Sequence, residues 1–176
     1  MSIVISIGSN QTNNKSTTLR DNIVAALKLL QNSSDVSVLE ISPLYETEPW
    51  GYIAQPNFYN VVAIIETGRT PTEFLSLIKS VEYSLGRRKA QKWSSRIIDM
   101  DIIFWNDLII NLPDLIVPHP YLHQRMFVLQ PLYDLLPNLV HPVLNKNISI
   151  LLSECSDESK CILVNNKIDL SDITMI

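Results

Sequence analysis

The sequence predicts an α+β fold: a ferredoxin-like βαββαβ core with a mostly antiparallel sheet, both principal helices on one face, and additions after the core. Runs rich in β-branched residues and runs with helical spacing follow one another as strand–helix–strand–strand–helix–strand. Each helical run opens on a capping signal, which fixes where it starts. Its 176 residues, 46% hydrophobic and 18% charged, make one globular domain, 1–176, long enough for a real core. With both helices on one face of the sheet, the other face is free to hold a site.

Ile3-Val4-Ile5-Ser6-Ile7 is the first strand and ends in Gly8-Ser9-Asn10. Thr18 and Asp21 make a capping box, and Leu19, Ile23, Ala26, Leu27 and Leu30 then recur at helical spacing. After the turn cluster Asn32-Ser33-Ser34-Asp35, a second strand runs from Val36 toward Tyr45, with Pro43 marking a bulge or an edge. Residues 47–57 form a loop by their prolines and glycine, although an aromatic one, and Phe58 to Glu66 is the third strand. Thr70-Pro71-Thr72-Glu73 supplies an N-cap, a proline at N1 and a glutamate at N3. Phe74, Leu77, Ile78, Val81 and Leu85 supply the buried stripe, and Gly86 suits the position just past the helix end. The fourth strand starts at Ile97. Asn106-Asp107 turns the chain into a short partner, Leu108-Ile109-Ile110, and prolines break the segment around His119. Tyr121 to Gln130 reads as a helix, and Pro131 starts another through Leu136. Residues 145–176 are a C-terminal extension of unassigned role, with a helix at Ile148 to Leu152 and a last strand at Ile162-Leu163-Val164.

A net charge of −4 and a pI near 5.3 argue against nucleic-acid or anionic-membrane binding. No apolar run is long enough to span a bilayer, and Met1-Ser2-Ile3-Val4 has no basic leader. Cys155 and Cys161 fit no zinc or disulfide framework and read as reduced thiols of a cytoplasmic protein. Only four glycines are present, so neither GxGxxG nor the P-loop pattern can be written. A nucleotide would have to be held by side-chain cations and metal.

The chemistry concentrates in Trp93-Ser94-Ser95-Arg96-Ile97-Ile98-Asp99-Met100-Asp101. Side chains at i and i+2 of a strand share a face, so Asp99 and Asp101 project together, opposite Ile98, Met100 and Ile102. Paired carboxylates in apolar surroundings need a positive partner, and Arg96 or a divalent metal can supply it. The basic run Arg87, Arg88, Lys89, Lys92 precedes them, and Trp93 extends it. Carboxylates for metal beside cations for phosphate oxygens are what phosphoryl transfer requires. His119 and Arg125 are further phosphate contacts, whereas His123 and His141 read as surface residues. Trp50, Tyr52 and Phe58 can wall a slot for a flat ligand, with Asn60 on the strand face of Phe58 to bond a heterocycle edge.

Gly8-Ser9-Asn10, Thr47 and Gly51, Phe58-Tyr59-Asn60, Gly86-Arg87, Trp93-x-x-Arg96-x-x-Asp99-x-Asp101 and Val117-Pro118-His119 occur in that order. Together they resemble the 6-hydroxymethyl-7,8-dihydropterin pyrophosphokinases of folate biosynthesis, over roughly residues 3–142. The resemblance implies transfer of diphosphate from ATP to the pterin hydroxymethyl group, with release of AMP. It assigns two magnesium ions to Asp99 and Asp101, and stabilisation of the transferring group to Arg87 and Arg96. It places the pterin between Phe58 and Phe127, with Asn60 reading its edge and Thr47 and Trp50 beside it. It puts Lys79, Glu82, Lys89, Lys92, Trp93, Ile102, His119 and Arg125 near ATP, and has the loop before Arg96 close over the site. The reading is a monomer acting on small molecules, with Arg96 serving phosphate and forming no salt bridge to the aspartates. Departures from the family pattern are Ser94 and Ser95 in place of Gly and Pro, Lys89 in place of Arg, Lys79 in place of a neutral amide, Pro120 in place of an aromatic, and Trp50 in place of an aliphatic. A nucleotidyltransferase using the same Asp-x-Asp pair is one rival; it would yield diphosphate instead of AMP. An RNA-binding module is another, and the acidic pI weighs against it.

Overall fold

A computed structural model describes residues 2–51, 54–87 and 95–174. Strand β1 (Ser2–Ser9) lies inside the sheet, antiparallel to β4 (Phe58–Thr67) on one side and β5 (Asp99–Trp105) on the other. Beyond β4 come β2 (Val36–Ile41) and β3 (Tyr45–Thr47), and β8 (Cys161–Leu163) pairs with β3. All these pairings are antiparallel, and the order β5-β1-β4-β3-β8 contains the ferredoxin-like core.

The expected strand from Val36 to Tyr45 is divided in two. Pro43 has no N–H to give the ladder. Ser42 carries the pairing past it: its N–H donates to the Val62 carbonyl and its hydroxyl accepts the Val62 N–H, both at 2.9 Å.

Both expected capping boxes form. Thr18 caps α1 (Leu19–Gln31) and Thr70 caps α2 (Pro71–Ser84), each with its N3 carboxylate reaching back to the cap N–H. The two helices cover one sheet face. There Ile3, Ile5 and Ile7 of β1 meet Ile23, Leu27, Phe74 and Ile78. Gly86 follows α2 with φ +101°, a conformation that strains any residue carrying a Cβ.

The opposite face is not wholly open. Helices α3 (Met126–Leu135) and α4 (Ile148–Ser153) cover half of it, packing on Val4, Val62 and Ile103. Farther along the same strands this face becomes polar, and that uncovered half holds the cleft.

Four expectations are corrected. The strand after Asn106-Asp107 is β6 (Ile110–Leu112), and it pairs with β7 (Leu115–Val117) across Pro113-Asp114, not with β5. Residues Tyr121 to Gln130 are not one helix. A single 3₁₀ turn, Leu122–Gln124, is followed by Arg125 in extended backbone (φ −126°, ψ 102°), and only then by α3. Pro131 lies inside α3 and does not begin a helix. Its missing N–H forfeits a bond to the Phe127 carbonyl, which burial of Val128, Leu129 and Leu132 offsets. His141 is buried, not on the surface: it meets Phe104 edge-on, and its Nδ1 accepts the N–H groups of Val143 and Leu144 at 3.2 Å. The extension also contains a helix that the periodicity did not show, α5 (Leu170–Ile173). It docks on α1 through Arg20 Nη2, 2.6 Å from Asp172 and 2.8 Å from the Lys167 carbonyl.

Candidate active site

Three neighbouring strands change character together. On the face away from α1 and α2, β1 runs Val4, Ser6, Gly8; β4 runs Val62, Asn60, Phe58; β5 runs Ile103, Asp101, Asp99. Gly8 lies between Asp99 and Asn60 in the register, so the acidic pair and the aromatic slot are separated by one strand. A cavity of about 270 Å³ opens above this row. It gathers Arg87, Arg96, Asp99, Asp101 and Arg125 on one side and Thr47, Trp50, Phe58, Asn60 and Phe127 on the other.

Asp99 is bracketed by two guanidinium groups. Arg87 Nη1 lies 2.7 Å from its Oδ1, and Arg96 Nη1 bonds its Oδ2. The expectation that Arg96 is no salt-bridge partner is therefore corrected. Both contacts are charge-assisted. Asp101 is more open; Arg125 Nη1 stands 3.9 Å from its Oδ2.

Arg96 is aimed by its own backbone. Its N–H donates to Asn10 Oδ1 (2.6 Å), and its carbonyl accepts the N–H groups of Asn10 and Gln11. The Asn10 amide also donates to Gln55 Oε1 (3.0 Å) and the Pro56 carbonyl (3.2 Å). One buried side chain thus ties the cationic side of the cleft to the aromatic loop.

Arg87 is held by Glu82, which is 2% exposed. The same Glu82 oxygen accepts the Met100 N–H at 2.7 Å, and Lys79 Nζ lies 3.1 Å from the other. Burial raises the Glu82 pKa, and the charges of Lys79 and Arg87 oppose that shift. Glu82 and Lys79 thus anchor Arg87 and β5 from behind the cavity wall. The residue reading passed over Glu82, although a signal existed: position 82 lies four after Ile78, on the apolar stripe, where an acid needs a partner.

Arg125 enters between rings. Its guanidinium carbon is 4.8 Å from the Trp50 centroid and 5.6 Å from those of Tyr121 and Phe127. Burial works against its charge, while Asp101 and Asp99 support it. Its Nε is buried without a hydrogen-bond partner among the described residues. Trp50 is fixed by its own N–H, 3.0 Å from the Gln124 carbonyl. His119 lies beside Arg125 (Nε2 to Nη1, 3.4 Å) but outside the main cavity, and burial lowers its pKa.

In the slot, Asn60 Nδ2 donates to Thr47 Oγ1 at 2.7 Å, with both residues almost fully buried. Phe58 and Phe127 line the same cavity, as the resemblance implied. No periodicity marked Phe127, because its backbone belongs to a helix that begins one residue earlier. Ser6, Glu48 and Gln55 also line the cavity and were not anticipated. The Ile102 side chain is in the core with Met100, so only its main chain, on edge strand β5, is available to a ligand. Lys89, Lys92 and Trp93, with Arg88 and Tyr52, lie outside the described residues.

Comparison with known proteins agrees with this geometry. Residues 4–137 match the family model described as 7,8-dihydro-6-hydroxymethylpterin-pyrophosphokinase. A 2-amino-4-hydroxy-6-hydroxymethyldihydropteridine pyrophosphokinase from Aquifex aeolicus is 37% identical over 82% of this chain and 86% of its own length. Its counterpart from Pseudomonas aeruginosa is 33% identical over 89% of this chain and 93% of its own. The folic acid synthesis protein fol1 of Schizosaccharomyces pombe is 43% identical over 69% of this chain, which spans only 17% of that protein. Among solved structures, wild-type Plasmodium falciparum HPPK-DHPS with STZ-DHP shares the fold at a TM-score of 0.69 and 19% identity. That match covers 87% of this chain and 43% of the other. With the match running from β1 through α3 and the paired aspartates, the arginines and the aromatic slot all inside it, this chain belongs to the 7,8-dihydro-6-hydroxymethylpterin-pyrophosphokinase family.

Proposed function

We propose that the cleft binds ATP and 6-hydroxymethyl-7,8-dihydropterin side by side and transfers the diphosphate to the pterin hydroxymethyl group, giving AMP and the pterin diphosphate. The observation that carries this is the sharing of one cavity by an acidic–cationic half and an aromatic half, one strand apart.

On the phosphate side, Asp99 and Asp101 suit magnesium. Among the described residues no cluster of three or more His, Cys, Asp or Glu could hold a metal. A hard cation that takes one or two carboxylates and completes its shell with phosphate oxygens and water fits such a pair. Two bound ions would neutralise phosphate charge and clamp the attacking and leaving oxygens. Arg87 and Arg96, already within reach of Asp99, would face the oxygens of the transferring group, and Arg125 those nearer Asp101. On the pterin side, Phe58 and Phe127 would stack on the ring, with the Asn60 amide fixed at its edge by Thr47. The nucleophile is the substrate's own alcohol, so positioning and charge stabilisation suffice without a protein nucleophile. The reading further takes the enzyme as a cytoplasmic monomer; two cysteines outside any disulfide framework support the reducing compartment.

Incubation with ATP, magnesium and the pterin, followed by AMP measurement, tests this reading. AMP formation dependent on the pterin is expected; AMP no higher than in the pterin-free control would overturn it. A nucleotidyltransferase would release diphosphate instead.

A further inference from the structure

The C-terminal segment 155–164 lies beyond the residues that match the family model, yet it is bonded to two separate stretches of the cleft lining. Three contacts make the connection. Helix α3 starts between two cleft residues, Arg125 and Phe127, and Arg125 at its N-cap gives no side-chain cap. The first N–H of the helix, that of Met126, is taken instead by Asp157 Oδ2 at 2.9 Å. The other Asp157 oxygen accepts the Ser159 N–H (3.0 Å) and the Ser159 hydroxyl (2.6 Å), which points the carboxylate at the helix. At a second stretch of the lining, the Glu48 N–H donates to the Lys160 carbonyl (3.3 Å), and the Lys160 N–H donates to Glu48 Oε2 (3.1 Å). Next to it, Cys161 is the register partner of Thr47, the residue that holds the Asn60 amide.

We propose that this segment is a positioning element for the substrate cleft, with Asp157 its central residue. It caps α3 from outside the helix and so fixes where Phe127 and Arg125 stand, while β8 and Lys160 fix the lining at Thr47 and Glu48. The physical need is plain. A helix start without its own cap leaves N–H donors unsatisfied and frays, and this one carries a ring and a cation whose placement sets the width of the slot. A carboxylate at the positive end of the helix satisfies a donor and opposes fraying through the dipole. Asp157 touches no substrate in this reading; it acts through Met126 on the residues at either side.

The inference rests on the pterin–ATP reading of the cleft, and its test separates the two. Full-length wild type, Asp157→Ala and Asp157→Asn are compared for AMP formation as the pterin and ATP are each varied, with thermal unfolding measured in parallel. Asp157→Ala is expected to raise the pterin KM about fivefold, the ratio corresponding to loss of a typical helix cap of ~1 kcal/mol, with kcat within about twofold. Asp157→Asn retains an oxygen for the Met126 N–H and is expected to recover part of that change. A pterin KM for Asp157→Ala unchanged from an active wild type would overturn the proposal. So would a loss of rate that only tracks the folded fraction, because it would mark a purely structural contact. An inactive wild type would instead refute the pterin–ATP reading itself.

Discussion

Replacing Gly8 with alanine tests how closely the two halves of the cleft are built together. Gly8 is the next-to-last residue of β1 and has no positive φ, so alanine introduces no backbone strain there, and the effect is purely steric. A Cβ at this position would lie 2.6 Å from Asn60 Oδ1, and 3.7 Å from Phe58 Cδ1. Restoring ordinary contact at 3.4 Å would move the amide by roughly 0.8 Å, out of its place in the cavity lining. Asn60 is 3% exposed and bonded to Thr47 at 2.7 Å, so that shift stretches the bond past useful length. The lost bond costs about 1 kcal/mol, and the overpacking about 1–3 kcal/mol more. Because the displaced amide is also the group proposed to read the pterin edge, the pterin KM should rise by about tenfold or more. Denaturant unfolding of wild type, Gly8→Ala, Asn60→Ala and the double variant closes a cycle that isolates the contact. If the clash is with Asn60, Gly8→Ala should cost little once residue 60 is alanine. An equal cost in both backgrounds, or an unchanged pterin KM in Gly8→Ala, would refute the argument.

Two further outcomes are expected. Asp99→Ala and Asp101→Ala should each lower magnesium-dependent turnover by about a thousandfold while far-ultraviolet circular dichroism stays native; near-normal turnover in either would remove the metal role given to the pair. Burial lowers the folded pKa of His141 below its ordinary 6.5, and its Nδ1 accepts two backbone N–H groups that protonation would repel. Stability from His141 is therefore fully present above pH 6.5 and is lost as pH falls through the folded value. The urea midpoint should drop between pH 7.5 and 5.5, and less in His141→Asn, whose side-chain oxygen can accept the same donors; an identical drop in both would exclude His141 as the cause.

How much of this was legible in the sequence follows from which interactions are local. The capping boxes at Thr18 and Thr70 are contained within four residues each, and both appear where the sequence puts them. The same-face projection of Asp99 and Asp101 is a property of any strand, and it holds. The strand expected at Leu108 to Ile110 lies two residues later, and its partner β7 was not anticipated, because several apolar positions in a row carry no period to set a register. The break at Arg125 left no local mark either; its side chain meets partners distant in sequence, the ring of residue 50 and the carboxylate of residue 101.

The acidic pair poses an electrostatic problem, and the structure answers it with arginines. Asp99 engages both Arg87 and Arg96, whereas Asp101 keeps its distance from Arg125. Each arginine is in turn fixed by something that is not phosphate: Arg87 by Glu82, Arg96 by Asn10 through its backbone, Arg125 by three rings. Three guanidinium groups so close together would repel one another if left mobile, at a cost that falls only when carboxylates stand between them. The carboxylates that suit magnesium are thus also what lets the cations be assembled in advance. Removing Asp99 should then bring Arg87 and Arg96 into mutual repulsion as well as weaken magnesium dependence, so Asp99→Ala should lower the urea midpoint more than Asp101→Ala; equal midpoints would refute this.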